Sequence, residues 1–428
     1  MNNKKEGKLM RQEKDHYFEP KLRFPEFRGA ADWKFVPLNK LAKRCTQKNR
    51  SGAITRVLTN SAEYGVVDQR DYFDKDIATQ GNLESYYVVD KGDYVYNPRI
   101  SAAAPVGPIS KNNVATGVMS PLYTVFRFGE INNDFYAYYF KTAGWHQYMR
   151  QASSTGARHD RMAITNDDFM AMPLPASTPQ EQKKIADCIA ALDECLDLAL
   201  KKLDELNIHK QGLLQQLFPA EGETSPKLRF PGFIEAGEWT NEPLGGLAEI
   251  ITGKTPSTTN SDLWDGDILF ITPTDIGEDN KYQKTTVRTV VETKSTKVLP
   301  EGSIVYTCIA SIGKMAITVR PSITNQQINA VVPSKKVLGE FMYYALMRLT
   351  PWIKTIPASN TLPIINKTEF SKISILYPAD KNEQNRIATC LGTLDEIIAA
   401  QTHKVDELKN HKKGLMQQLF PLVRETVA

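Results

Sequence analysis

The most regular feature of the chain is a 4-3 alternation of apolar and polar positions that occurs twice. The first series runs Ile185, Ile189, Leu192, Leu196, Ala199, Leu203, Leu206, Lys210, Leu213 and Leu217. The second runs Ile387, Leu391, Leu394, Ile398, Gln401, Val405, Leu408, Lys412, Leu415 and Leu419. This spacing lays one narrow apolar stripe along a helix, the seam of a coiled coil. Pro179 and Pro219 bracket the first series, and Pro378 and Pro421 the second, as expected if proline is kept out of helix interiors. A helix from Gln180 to Leu217 would be ~57 Å long. A stripe so narrow does not bury a helix in a globular core, so the two helices are expected to pack on each other as an antiparallel spacer. The seam turns polar at Gln401, Lys210 and Lys412. Two readings stay open at the lysines: their stems lie along the seam with the ammonium in water, or they fix register or meet a partner.

Outside the helices the pattern changes to short apolar and aromatic runs between turn residues. Examples are Tyr86 to Pro98, Ser120 to Phe128 and Gly266 to Ile276, which read as strands joined by loops. More helical stretches follow at Ile131 to Gln151 and Gly339 to Ile356. The expected class is α+β: two modules with curved β-sheets and small helices, separated by the long helices.

The two series belong to a tandem duplication. PKLRFPEF at Pro20 to Phe27 returns as PKLRFPGF at Pro226 to Phe233, an offset of 206. At an offset of 202, DELNIHKQGLLQQLFP (Asp204 to Pro219) returns as DELKNHKKGLMQQLFP (Asp406 to Pro421). Between these ends, residues 50–170 and 256–370 have little identity. A shared frame with divergent contents implies two related modules doing one kind of task on two different targets, arranged with pseudo-twofold symmetry. The expected division is an N-terminal segment 1–19, module one 20–178, spacer helix one 179–219, module two 220–381, spacer helix two 382–421 and a tail 422–428.

With 428 residues the chain is long enough for several cores, and 41% hydrophobic against 24% charged residues is ordinary globular composition. Cys45, Cys188, Cys195, Cys308 and Cys390 form no CxxC pair, which argues against a disulfide framework or a zinc site. No apolar run reaches membrane-spanning length and the first residues are polar, so a cytoplasmic protein is expected. Charge is uneven: residues 20–178 hold 20 Lys and Arg against 15 Asp and Glu, whereas 220–381 hold 17 of each. Such an excess suits phosphate contacts and is also common on soluble enzymes.

Catalytic signatures are scarce. The chain lacks a P-loop, GxGxxG, GxSxG and HExxH. Val95 to Arg99 (VYNPR) imitates a methyltransferase NPPY run without its second proline and aromatic residue. Asp279 with Glu292 to Lys294 imitates a nuclease, in a chain where charged triplets arise by accident. His209 and His411 occupy equivalent repeat positions. What remains is loops rich in donors. Ser153 to Arg161 (SSTGARHDR) suits guanine or phosphate contacts, or is an ordinary solvated loop. Gly253 to Thr258 offers backbone amides to an anion. Ser311 to Lys314 and Thr324 to Gln327 hold amides and hydroxyls of the kind that read adenine edges.

Taken together, LRFPEF and LRFPGF, GKTPST before Trp264, FITPTDI, SIGKMAI, NQQINAVV, YNP, SPLY and the two EQ…LDE…QQLFP helices resemble the specificity subunit of type I restriction-modification enzymes. The resemblance covers nearly the whole chain. It implies two target-recognition domains that each read half of a split, asymmetric DNA site. It further implies helices that dock two methyltransferase subunits and, through them, restriction subunits. No catalysis or cofactor is implied for this chain, S-adenosylmethionine, ATP and Mg being used by the partners. The candidate DNA contacts are Arg99, Arg158, His159 and Arg161 in module one and Lys254, Thr255, Thr274, Ser311, Lys314, Asn325 and Gln327 in module two. Module one has Gln47-Lys48-Asn49-Arg50 where module two has its GKTPST run. The competing classes are an assembly adaptor or DNA mimic, for which an acidic surface would speak, and a nuclease at Asp279. Exchanging residues 50–170 for those of another member should change one half of the recognised site and leave the other half and the gap intact, as read by methylation mapping; a change in both halves refutes the modular reading.

Overall fold

Two helices organise the chain in the computed structural model, which describes residues 20–72, 80–129, 134–153, 160–277, 280–293, 296–356 and 363–421. The expected N-terminal segment and C-terminal tail lie outside these residues, as do Arg158, His159, Asp279 and Lys294. The first long helix spans Pro179–Gln216 and the second Lys381–Leu419. Pro179 sits at the first helical position, where a missing N–H costs nothing, and the Thr178 hydroxyl accepts the Glu181 N–H. Asp380 caps the second helix by accepting the Asn382 N–H at 2.8 Å.

The chain forms two compact units whose boundary falls within the helices: one unit runs to Asp197 and resumes at Asp406, the other is Leu198–Val405. Each unit therefore owns one module, the start of one helix and the end of the other.

The first unit is built on β1 (Lys34–Pro37), β2 (Ala42–Arg44), β3 (Leu58–Ser61), β4 (Gly65–Asp68), β5 (Tyr87–Val89), β6 (Tyr94–Tyr96), β7 (Ile109–Lys111), β8 (Gly117–Met119), β9 (Thr124–Phe128) and β10 (Pro173–Ala176). A four-stranded sheet has the order β2-β9-β6-β7, and β1 pairs antiparallel with β10. The helical stretch expected over Ile131 to Gln151 is two short helices, Phe135–Tyr139 and His146–Ala152. Thr142 ends the first by turning its hydroxyl onto the Tyr139 carbonyl at 2.7 Å, a local side-chain bond that competes with helix continuation.

The second unit carries β11 (Thr240–Pro243), β12 (Ala248–Thr252), β13 (Trp264–Ile271), β14 (Tyr282–Gln283), β15 (Arg288–Val290), β16 (Ile304–Thr307), β17 (Met315–Thr318), β18 (Ser322–Thr324), β19 (Ile328–Pro333) and β20 (Ser374–Tyr377). Its main sheet has the order β12-β19-β16-β17-β14, beside a three-stranded sheet β15-β13-β18 and the pair β11-β20. A helix at Gly339–Ile353 covers the main sheet with Phe341, Tyr344, Leu346 and Ile353 buried.

The repeated motifs do the same physical work in both units. In the first, Phe420 is buried against Phe135 and Tyr139, with ring centres at 5.1 and 5.8 Å, in a core that also takes Ile185 and Ile189. In the second, Phe218 meets Trp239 and Phe341 at 5.8 and 5.3 Å, in a core that takes Ile387 and Leu391. Each module is thus closed by the start of its own helix and the QQLF end of the other. Backbone bonds repeat the match: Leu22 N–H donates to Gln418 O and Leu228 N–H to Gln216 O, at 3.0 and 2.9 Å. Within each unit the helix segments run antiparallel. Lys412 pairs with Asp193 in the first unit, and Lys210 with Asp395 at 2.5 Å in the second. Gln401, buried in the seam, donates to the Ala199 carbonyl at 2.8 Å.

The start of each repeat is held to its helix by a bidentate pair. Arg23 donates through Nε and Nη2 to Glu181 at 2.7 and 3.0 Å, and to the carbonyls of Ala30 and Ala31. Arg229 does the same with Glu383 at 2.7 and 2.9 Å and with the carbonyls of Ala236 and Gly237. The Arg23 and Glu181 side chains are 5% and 0% exposed. Removing one partner leaves a buried charge uncompensated, so Glu181→Ala should destabilise the chain by about 3–5 kcal/mol in urea unfolding. The double variant Arg23→Met, Glu181→Leu should recover most of that loss; if the single change costs under about 1 kcal/mol, the pair is not the anchor described.

Candidate nucleic-acid interface

In the second unit the candidate residues lie on separate loops that the sheet brings to one end. β12 and β19 are antiparallel with Thr252 opposite Asn329, so Gly253 to Ser257 leaves the sheet where β19 enters. The Gly253 N–H donates to Ile328 O at 3.1 Å. β16 is antiparallel to β19 on its other side, Thr307 facing Ile328, and Cys308 N–H donates to Gln327 O at 2.8 Å. The turn bearing Ser311 and Lys314 therefore leaves from that same end. It is held by Thr307, whose hydroxyl accepts the Lys314 N–H at 2.9 Å and donates to Ser311 O at 2.5 Å. The end of β13 joins them through Asn325 N–H to Ile271 O at 3.2 Å, which brings in the turn at Thr274.

Side chains tie the loops together. Asn325 donates to Gln327 Oε1 at 3.0 Å and accepts the Gln327 N–H at 3.1 Å, and among the described residues the Gln327 side-chain N–H groups have no acceptor. Thr255 donates to Gln326 Oε1 at 2.7 Å. The Thr272 and Thr274 hydroxyls are 2.8 Å apart. Lys254 is exposed and Lys314 half-buried, and among the described residues neither forms an ion pair. Beside the loops is a cavity of about 640 Å³ lined by Gly253 to Ser257 together with Thr293, Thr296, Lys297 and Thr324. Ser311, Gly313 and Lys314 border a second cavity of about 450 Å³ with Thr350 and Lys354. Among the described residues the surface offers amides, hydroxyls and cations, the inventory that binds phosphates and base edges. Cys308 beneath it is an inert thiol, pushed up to about 11 by burial.

In the first unit Arg99 and Arg161 form an isolated antiparallel bridge, fixed by Ile100 N–H to Asp160 O and Met162 N–H to Pro98 O at 3.0 and 2.8 Å. Arg99 is exposed and Arg161 half-buried. Like charges on directly opposite residues are unfavourable by themselves, so an anion such as a phosphate beside the pair would be stabilised. Asp160 approaches Arg161 only to 3.9 Å. Arg158 and His159 are outside the described residues.

Two organising residues stand outside the candidate contacts, although Trp264 and the FITPTDI run that holds Asp275 belong to the motifs of the resemblance. Asp275 accepts from Thr272 N–H at 2.9 Å and from Val287 N–H at 2.8 Å, joining two loops. Trp264 donates through its indole N–H to Ser257 O at 3.0 Å and so fixes the far end of the Gly253 loop. Only the TPTD run around Asp275, an aspartate-stabilised turn, could have hinted at the first. Among the described residues no group of three or more His, Cys, Asp or Glu side chains could hold a metal ion, and no helix is long and apolar enough to cross a membrane.

The model of the type I restriction modification DNA specificity domain matches residues 236–410, which include every candidate residue of the second module. The chain is related to the type I specificity subunits. It is 30% identical over 195 residues to the specificity subunit of the type I restriction enzyme MjaIX of Methanocaldococcus jannaschii, covering 43% of this chain and 44% of that one. It is 35% identical over 147 residues to the HindI specificity subunit of Haemophilus influenzae, covering 33% and 32%. The aligned part is thus less than half the length of either curated relative. The fold is that of the type I system S subunit from M. genitalium, with a TM-score of 0.58 at 15% identity over 95% of this chain and all of that one. A chain from a structural study of type I complex assembly and conformational transition gives 0.56 at 18% identity, covering 90% of this chain and 97% of that one.

The convergence of loops hinges on Gly253. A Cβ there would lie 2.2 Å from both the Asn325 carbonyl oxygen and the Thr324 hydroxyl. Gly253→Ala should push the Lys254 loop off the Asn325 turn and weaken DNA binding through the second module, while lowering stability by only about 1–3 kcal/mol, so that the chain still folds. DNA binding and a thermal melt of the same preparation check this; full binding with the alanine in place would disconnect the loop from recognition.

Proposed function

We propose that the chain is the DNA-specificity subunit of a type I restriction-modification enzyme. Residues 20–178 and 220–381 act as two target-recognition domains, each reading one half of a bipartite, asymmetric site. The helices within 179–219 and 382–421 set the number of unread base pairs and dock two methyltransferase subunits, through which restriction subunits join. Arg99, Arg158, His159 and Arg161 serve the first half-site. Lys254, Thr255, Thr274, Ser311, Lys314, Asn325 and Gln327 serve the second.

The observation that carries this reading is the gathering of Lys254, Thr274, Lys314, Asn325 and Gln327 at one end of a sheet, although they are spread over more than 70 residues. A catalytic constellation would converge on a nucleophile or base, whereas this end converges on amides, hydroxyls and lysines that form no ion pair among the described residues. Phosphate contacts from the lysines supply affinity irrespective of sequence, and the Gln327 and Asn325 amides supply base discrimination.

Co-production with the host's methyltransferase subunit, followed by genome-wide mapping of methylated positions, tests the reading. One bipartite, asymmetric motif with a constant gap is expected. A stable complex with an active methyltransferase and no new methylation would sink the specificity role and favour an adaptor that uses only its helices.

A further inference from the structure

We propose that Arg288, a residue outside the candidate set, reads a guanine directly in the second half-site; this rests on the DNA-specificity function proposed above. Its guanidinium carbon lies 3.3 Å from the centre of the Trp264 ring, so the fork is laid flat on the indole. Trp264 is itself immobile: it is 6% exposed, its N–H is bonded to Ser257 O, and its ring stands edge-on to Phe270 at 5.2 Å. Stacking occupies one face of the guanidinium and leaves its in-plane N–H donors open.

Those donors are unspent. Other arginines of the chain satisfy theirs internally: Arg229 on Glu383, Arg127 on Asp90 and Asp93, and Arg320 on the Asp267 carbonyl. Arg288 is exposed, and among the described residues its side chain has neither an ion pair nor a hydrogen bond. Its place is also that of the interface. β15 pairs with β13 so that Arg288 faces Phe270, one residue before the end of the strand that leads to Thr274. The preceding residue, Val287, is 88% exposed with its N–H held by Asp275. Through Trp264 the guanidinium is linked to the loop of Lys254 and Thr255.

A phosphate asks for positive charge in a broad range of directions, which a mobile lysine gives as well as an arginine. The O6/N7 edge of guanine asks for two parallel donors in one plane, and a fork fixed on an immobile indole supplies that plane with little rotamer freedom left to lose.

The test uses the full chain co-produced with its methyltransferase subunits, with methylation mapping and with binding to duplexes carrying the mapped site. Arg288→Ala should make one G·C pair of one half-site degenerate, discrimination there falling about 5- to 150-fold, with the other half-site and the gap unchanged. Arg288→Lys, which keeps charge and stem, should fail in the same way because an ammonium lacks the fork. Trp264→Phe, a change to the positioning residue, should loosen that same pair, together with any contact made by the Lys254 loop that the indole N–H holds through Ser257 O, and should leave the other half-site unchanged. An unchanged motif in Arg288→Ala overturns the proposal. So does a uniform weakening on all sequences that Arg288→Lys restores, which marks a phosphate contact. A wild-type complex that yields no bipartite motif removes the function on which the proposal stands, a result distinguishable because it appears before any substitution.

Discussion

Neither module can complete its hydrophobic core alone. Each needs two helix segments, the start of the helix that follows it and the end of the other, and each end delivers a phenylalanine that is buried among the module's aromatic rings. Truncating a buried phenylalanine of this kind typically costs about 3–5 kcal/mol. The bidentate Arg23–Glu181 and Arg229–Glu383 pairs then fix the entry angle of each helix at its first turn, using carboxylates with almost no exposure. Helix and module are therefore one packed body within each unit.

The seam between helix segments is less apolar than a stability argument alone would choose. Lys210 and Lys412 are ion-paired, with Asp395 and Asp193, and are not simply snorkelling; Asp395 also accepts the Tyr344 hydroxyl at 2.5 Å. Burial and that aspartate push the Tyr344 hydroxyl far above its ordinary range, so it stays a donor. These groups add little net stability over aliphatic residues but penalise a shifted register, because a slip would bury an unpaired carboxylate. Gln401 acts similarly, its amide satisfied by the Ala199 carbonyl.

The parts of this architecture legible in the sequence are those with short-range periodicity. Seam, helix limits and duplication all follow from spacing within a few residues, and both long helices begin and end within three residues of the bracketing prolines. The strands were legible as aromatic runs, but their pairing was not: β13 contacts β15 on one side and, in parallel, β18 on the other, a choice made by the core. The LRFP motif announced the repeat without revealing its task, because Glu181 lies 158 residues from Arg23. The candidate loops could be picked as short polar runs. That β12, β13, β16 and β19 deliver them to one end was not legible, nor were the tasks of Asp275 and Trp264 or the stacking of Arg288 on Trp264.

The backbone bond from Leu22 to Gln418 has a consequence for how the molecule is made. The first module is closed by a segment synthesised only after the whole second module has emerged. Its aromatic core, with Phe135 and Tyr139 waiting for Phe420, stays unsealed for most of translation, and the contact that seals it has nearly the largest sequence separation the chain allows. Such closure is slow and leaves apolar surface open meanwhile. The second module, framed by Phe218 and Leu391, has all its closing segments as soon as the second helix begins, so it can complete its core before the first can.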